Sequence, residues 1–180
     1  MAESFRQGQK GSVIAGVVMR SDSVIDGVAL GKTKVGGDDA TKSIAALFRK
    51  LRRNDVNLII VSGAILSLYN IIDVDGLSQK VKLPVICLTY KETAGIEGSI
   101  RRHFPQGADE KLEAYRKLGR RTGVKLHTGK HVYVRTSGLE KAEVKPILDA
   151  FTLQGSVPEP LRVAKLFARA AVARRSLPRD

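Results

Sequence analysis

The chain has 180 residues, and its 31 Lys and Arg against 18 Asp and Glu give a formal net charge of +13 at pH 7. Hydrophobic residues make up 43% of the chain, a globular rather than a disordered composition. A single cysteine excludes an internal disulfide framework, and no apolar run is long enough to cross a bilayer. We therefore expect a cytoplasmic protein with one domain over residues 1–180 and no membrane partner.

The first 50 residues predict a β-hairpin followed by a helix. Runs rich in Val and Ile at 11–19 and 24–34 flank a short polar turn, a pattern typical of two antiparallel strands. After a glycine break, apolar residues recur three and four positions apart from Ile44 and Leu47 onward, which indicates the buried face of a helix.

The centre of the chain predicts parallel strands. The continuous apolar runs 58–61 and 84–88 are typical of strands buried on both faces, and a short helical stretch at 76–82 separates them. Together with the preceding helix, this alternation of strands and helices indicates an α/β fold.

The second half of the chain is predicted to be mainly helical and strongly basic. We expect the segment 98–121 to be helical, with short strands at 124–127 and 131–135, a helix over 139–153 and a last helix from 161 to Arg175.

The positive charge concerns the partners of the protein rather than its fold. On the last helix, Arg162, Lys165 and Arg169 lie three and four residues apart and therefore share one face. A row of cations at this spacing suits a phosphate backbone, so we expect these residues to bind nucleic acid. The alternative is an ordinary solvated helix face.

Acidic residues in a basic chain are candidates for a divalent-metal site that works on phosphate. The candidates are Glu3, Asp38, Asp39, Asp73 and Asp75. The alternatives are that Asp38 or Asp39 only caps the following helix and that Asp73 forms an Asx turn. Cys87 lies within an apolar strand, which predicts an inert thiol. The chain has neither a P-loop nor a dinucleotide-binding glycine motif.

A succession of longer motifs is more specific than any of these signals. In order they are GSVIAGVVMR followed by DGV, GGDDAT before a helix, YNIID, LPVICL and PEPLRVAKLFARA. From Met1 to about Ala173 this succession resembles the archaeal endonuclease dU family, whose members are related to endonuclease V. The resemblance implies an α/β, RNase H-like (endonuclease V-like) mixed sheet, in which an antiparallel hairpin is followed by parallel strands with helices on both faces.

The resemblance also implies an activity. Enzymes related to endonuclease V use Mg²⁺ or Mn²⁺ to cut nucleic acid near a deaminated base, here uracil or hypoxanthine, which predicts a DNA-repair hydrolase acting on DNA rather than RNA. Carried over by motif, Glu3, Asp39 and Asp73 are the expected catalytic residues, and Glu3, Asp38 and Asp39 the expected metal ligands. Asn70 is expected to contact nucleic acid, and the C-terminal motif supplies the cations of the last helix.

Two departures from the family pattern keep a second function open. The first strand carries Ala2-Glu3 where the family has an acidic pair, and Ser62 stands where endonuclease V has an aspartate. A site with fewer carboxylates binds Mg²⁺ more weakly. The alternative is therefore a non-catalytic nucleic-acid-binding protein of the same fold. A basic interaction module that binds no nucleic acid is the third possibility.

The resemblance also bears on the first strand and on assembly. An RNase H-like sheet needs a strand before Gly11, and only ten residues precede it. We therefore expect the first strand to be truncated in this sequence and translation to begin upstream. A two-fold homodimer is a further expectation for a small α/β domain with a long C-terminal helix.

Overall fold

The computed structural model of the protein describes residues 1–92 and 95–174, in which nine strands and six helices are found. The strands are β1 (Ala2–Ser4), β2 (Gly11–Met19), β3 (Ile25–Lys34), β4 (Ile59–Ser62), β5 (Ile65–Leu66), β6 (Asn70–Ile71), β7 (Val85–Thr89), β8 (Thr122–Lys125) and β9 (His131–Ser137). The helices are α1 (Ala40–Lys50), α2 (Val74–Val81), α3 (Glu97–His103), α4 (Ala108–Lys117), α5 (Lys141–Phe151) and α6 (Glu159–Arg174). Arg175, the predicted end of the last helix, lies outside the described residues.

Two groups of strands meet along β1 and β4. The antiparallel group has the order β1-β2-β3, and the mixed group has the order β4-β7-β9-β8. The Met1 amino group donates to the Ile60 carbonyl at 2.6 Å, and the Ser62 N–H donates to the Met1 carbonyl at 3.0 Å. This is the slanted bonding of a parallel ladder, so β1 runs parallel to β4. Burial lowers the pKa of the Met1 amino group to about 5, so it is neutral at pH 7.

Helices cover both faces of the antiparallel group. On one face Ile14 packs with Leu47 of α1, and on the other Ala15 packs with Ala164 and Ala168 of α6. Burial on both faces explains why β2 is almost continuously apolar. The hairpin, the parallel strands and the helices on both faces confirm the predicted architecture.

A second core lies behind β7. Ile86 and Leu88 are fully buried there against Leu148 of α5 and Leu161 of α6. Cys87 belongs instead to the core that contains Ile14 and Leu47. In the described part of the chain, no helix is long and apolar enough to cross a membrane.

The segment predicted to be helical over 98–121 contains two helices, α3 and α4, with a break between them. Pro105 disfavours a helical conformation at Phe104 and has no N–H to continue the bonding pattern. Gly107 then adopts φ +87°, a left-handed conformation that ends the connection before α4 begins. The small strands β5 and β6 have no counterpart in the predicted elements.

Candidate active site

Two carboxylates, Glu3 and Asp39, lie at the end of the sheet where β1 and β4 finish. Ser12 of β2 and Thr33 of β3 are directly paired across the hairpin, and both are buried. The Ser12 hydroxyl donates to the Glu3 carboxylate, and the Thr33 hydroxyl donates to the Asp39 carboxylate at 2.7 Å. Since opposed residues of antiparallel strands lie about 5 Å apart, the two acids share one edge of the sheet.

The Glu3 carboxylate is held from two sides. Besides Ser12, the hydroxyl of Ser67 donates to Oε1 at 2.6 Å, and the backbone N–H of Ser67 donates to Oε2 at 2.9 Å. Ser12 belongs to β2, whereas Ser67 belongs to the loop between β5 and β6. These three hydrogen bonds fix the orientation of the carboxylate.

The Asp39 carboxylate lies directly before α1 but makes no capping bond to the amides of that helix. It accepts from the Thr33 hydroxyl, the Lys34 N–H at 3.2 Å and the Asn70 amide at 2.7 Å. Burial tends to raise the pKa of Asp39, but the hydrogen bonds from Thr33, Asn70 and Lys34 together outweigh it and lower the pKa below its ordinary value. The carboxylate is therefore ionised at neutral pH.

Asn70 caps α1. From the sequence, Asp39 was considered as a possible cap of this helix. Its Oδ1 accepts from the Ala40 N–H at 3.0 Å, in the first turn of α1. Its Nδ2 faces the Asp39 carboxylate, the Lys34 carbonyl at 2.8 Å and the Thr33 hydroxyl at 3.0 Å. Asn70 is 0% exposed. The side chain is thus occupied inside the protein, and the nucleic-acid contact of Asn70 stays a prediction.

Asp38 points to a different partner. Its side chain is exposed and forms an ion pair with the buried Lys111 of α4 at 2.6 Å. The Lys111 ammonium also donates to the Gly37 carbonyl at 3.0 Å and lies 4.7 Å from the centre of the Phe104 ring. The metal-ligand role predicted for Asp38 would compete with this ion pair.

Asp73 occupies the N-cap of α2. Its carboxylate accepts from the Gly76 N–H at 2.9 Å, and its own N–H donates to the Thr41 hydroxyl. Within the described residues, no hydrogen bond or ion pair joins Asp73 to Glu3 or Asp39. The bond from the Asp73 carboxylate to the Gly76 N–H is local, as the Asx turn considered in the sequence analysis would be. The catalytic role of Asp73 stays a prediction.

The three predicted cations of α6 have different surroundings. Lys165 is half-buried and donates to the backbone carbonyl of Glu3, so it fixes α6 to the end of β1. Burial, followed by the nearby Arg169, lowers the pKa of Lys165, and the Glu3 charge opposes this. Arg162 is exposed and paired with Glu159 one turn earlier, and Arg169 is exposed.

A cavity of about 410 Å³ opens beside this edge, where β4 and β7 end. Ser62, Gly63, Tyr90, Arg121 and Arg135 are among its lining residues. Burial raises the pKa of the Tyr90 hydroxyl, while its contact with Ser62 opposes the rise, so the hydroxyl keeps its proton at neutral pH. The guanidinium groups of Arg121 and Arg135 give the cavity hydrogen-bond donors and positive charge.

The donor set at the edge fits one hard cation rather than two. Among residues 1–92 and 95–174, no three His, Cys, Asp or Glu side chains are arranged to hold a metal ion. The edge offers only the Glu3 and Asp39 carboxylates. Mg²⁺ is commonly held by one or two carboxylates and completed by water and substrate phosphate, whereas two-ion centres need more acidic ligands.

Comparison with known proteins gives the same assignment as the motifs. The sequence profile of the family described as Endonuclease dU matches residues 1–172. The chain belongs to the endonuclease dU family. A UPF0215 protein of Pyrobaculum aerophilum is 37% identical over 172 residues, which cover 95% of this chain and 91% of that protein. A UPF0215 protein of Pyrobaculum calidifontis is 34% identical over 180 residues, covering 98% of each chain.

Solved structures place this endonuclease dU family member in a known fold. A protein of unknown function from Archaeoglobus fulgidus superposes with a TM-score of 0.80 at 21% identity and 94% coverage of both chains. Human endonuclease V superposes with a TM-score of 0.65 at 13% identity, over 97% of this chain and 83% of that one. Endonuclease V of Ciona intestinalis, solved with inosine-containing DNA, gives a TM-score of 0.63 at 12% identity, over 97% and 84%. The predicted RNase H-like fold is confirmed.

Sequence reasoning did not predict four residues that shape the site. They are Ser12, Thr33, Ser67 and Lys111. For Ser12 and Thr33, the only signal in the sequence was a small polar side chain at an inward-facing position of a largely apolar strand. Lys111 gave no signal, because its burial depends on how α4 packs against the glycine turn.

Proposed function

We propose that the protein is a metal-dependent endonuclease that cuts nucleic acid at or near a deaminated base, uracil or hypoxanthine. The convergence of the Glu3 and Asp39 carboxylates at one sheet edge carries this proposal. Membership of the endonuclease dU family and the likeness of the fold to endonuclease V support it. We infer DNA as the preferred substrate, as in the Ciona complexes with inosine-containing DNA.

Each side chain of the edge has a defined task in this reaction. Glu3 and Asp39 would hold the cation, and the lowered pKa of Asp39 keeps its carboxylate charged at neutral pH. A bound Mg²⁺ ion supplies an activated water and neutralises charge on the scissile phosphate. Ser12, Thr33 and Asn70 keep the two carboxylates oriented.

The adjacent cavity accounts for a preference for deaminated bases. Deamination replaces an amino group, which donates hydrogen bonds, by a carbonyl, which accepts them. The cavity is lined by the guanidinium groups of Arg121 and Arg135, which donate hydrogen bonds and cannot accept them. Uracil and hypoxanthine therefore match its lining better than cytosine and adenine.

The cations of α6 supply the contact with the phosphate backbone. Lys165 anchors the helix at the Glu3 end of β1, and Arg162 and Arg169 lie on the same side of the helix. Backbone contacts of this kind add affinity without sequence preference. We expect Arg169→Ala to weaken binding on all sequences and to reduce the salt slope by about 1.

The test is cleavage of end-labelled oligonucleotides containing uracil, hypoxanthine or only normal bases, as DNA and as RNA. Each substrate is incubated with Mg²⁺, with Mn²⁺ or with EDTA. We expect metal-dependent nicking at a fixed offset from the deaminated base. Asp39→Asn and Glu3→Gln are expected to abolish nicking.

Asp22→Asn is the matched control, because Asp22 is an exposed carboxylate at the opposite end of the β2–β3 hairpin. It is expected to cut like the wild type. Nicking that persists in Asp39→Asn, or that is insensitive to EDTA, would refute the metal-site assignment. Equal nicking of normal and deaminated substrates would refute the proposed base preference.

A second function follows from Ser62. This residue ends β4, lines the cavity and stands where the resemblance to endonuclease V leads one to expect an aspartate, and a site with fewer carboxylates binds Mg²⁺ more weakly. We infer that a protein which binds deaminated substrates tightly in EDTA, but cuts none of them with either metal, is a non-catalytic binder of the same fold.

A further inference from the structure

The β5–β6 hairpin has an unusual backbone for its sequence. Leu68 and Tyr69, in the loop between the two strands, adopt φ values of +46° and +62°. Bulky side chains rarely take this left-handed conformation, which turns normally give to glycine or asparagine. Such outliers persist where surrounding contacts impose them, and they cluster at functional sites.

The residues on either side of this loop supply those contacts. Ser67 gives its hydroxyl and its N–H to the Glu3 carboxylate, and Asn70 gives its amide to the Asp39 carboxylate. One short hairpin therefore contacts both acids, although Glu3 and Asp39 come from separate elements. Ser67 and Asn70 are both buried, so these bonds are shielded from water.

The hairpin is also fixed to the glycine turn that carries Asp39. The Gly36 N–H donates to the Ser67 carbonyl at 3.0 Å, and the Lys111 ammonium donates to the Tyr69 carbonyl at 3.4 Å. Both backbone carbonyls that flank Leu68 are thus held. The left-handed loop is imposed from outside the hairpin, and the two carboxylates cannot separate without breaking these bonds.

We propose that residues 65–71 form a positioning clamp, in which Ser67 and Asn70 fix the orientation of the Glu3 and Asp39 carboxylates toward one divalent cation. This inference rests on the proposed metal-dependent function. Ser67 and Asn70 are positioning residues, because they act on the cation only through the two carboxylates. Loss of a group that orients a metal ligand typically weakens metal affinity 10- to 100-fold.

The first test measures Mn²⁺ binding by calorimetry on the full chain, with Ser67→Ala as the variant. Ser78→Ala is the matched control, because the Ser78 hydroxyl also donates one hydrogen bond, to the Leu83 carbonyl at 2.8 Å, away from the site. We expect Ser67→Ala to bind Mn²⁺ at least about 10-fold more weakly. Ser78→Ala is expected to keep wild-type affinity despite a similar fall in Tm. Equal affinities of Ser67→Ala and the wild type would overturn the clamp and leave the proposed function standing.

The second test needs no metal. Hydrogen exchange of the Ser67 amide is measured in the wild type and in Glu3→Ala, with the Leu77 amide, bonded to the Asp73 carbonyl at 2.9 Å, as internal reference. We expect Glu3→Ala to accelerate exchange at Ser67 at least about 10-fold and to leave Leu77 unchanged. Unchanged exchange at Ser67 would overturn the clamp. Failure of the wild type to bind Mn²⁺ would instead overturn the proposed function, and the exchange result would still decide whether the clamp exists.

Discussion

Replacing Asn70 by alanine tests the centre of the site most directly. The amide has two N–H groups for three acceptors, so the substitution removes one bond to the Asp39 carboxylate, one bond to Lys34 or Thr33, and the Oδ1 bond that caps α1 at Ala40. A neutral hydrogen bond contributes about 1 kcal/mol and one to a charged group about 1.5–3 kcal/mol. The expected loss in the free energy of unfolding is therefore about 3.5–5 kcal/mol, a large share of the roughly 5–15 kcal/mol of a typical domain.

The assay is urea unfolding at pH 7, read as a shift in the midpoint at constant m-value. Asn54→Ala, which truncates an exposed asparagine after α1, is expected to stay within about 0.5 kcal/mol of the wild type. A loss below about 1 kcal/mol in Asn70→Ala, with an unchanged m-value, would show that the buried network around Asp39 does not stabilise the fold as the geometry indicates.

Three further predictions concern other buried or titrating groups. Lys111→Met leaves two backbone carbonyls without their donor, so we expect it to lower the free energy of unfolding by about 1–3 kcal/mol, while the exposed control Lys80→Met changes little. Since hydrogen bonds hold the pKa of Asp39 below its ordinary value, its carboxylate contributes stability that is complete above about pH 4 and is lost as the pH falls through the lower folded pKa. The difference in unfolding free energy between wild type and Asp39→Asn is therefore expected to narrow in acid titrations followed by urea unfolding. Burial raises the pKa of the Cys87 thiol to about 12, so we expect a disulfide reagent at pH 8 to react only after denaturation, and prompt labelling of the folded protein would contradict this.

Most of the architecture could be predicted because its signals are local. The structure contains the strands β2, β4 and β7 and the helix α1 where the sequence predicts them. Apolar runs and helical periodicity predict these elements because they show which faces must be buried. The break between α3 and α4, within the segment predicted to be helical, was not predicted. Helix-favouring residues on both sides of Pro105 hid a break that the backbone requires.

The candidate site was less accessible to sequence reasoning. The motifs name Glu3 and Asp39 through resemblance, and the structure brings both acids to one edge. Asn70, which the same motifs suggest as a nucleic-acid contact, is an internal cap and a donor to Asp39. An asparagine can bond to phosphate, to a helix amide or to a carboxylate, and its chemistry alone does not choose among them.

The order of side chains along the chain was enough to establish an α/β fold with a basic surface, because periodicity and charge are properties of neighbouring residues. The cross-strand pair Ser12–Thr33, the reach of Ser67 to Glu3 and the burial of Lys111 depend on strand register and on packing between distant segments. A shift of either strand by one residue in register would turn its hydroxyl to the opposite face of the sheet and separate the pair. Only the folded chain fixes that register, and with it the two carboxylates at a single edge.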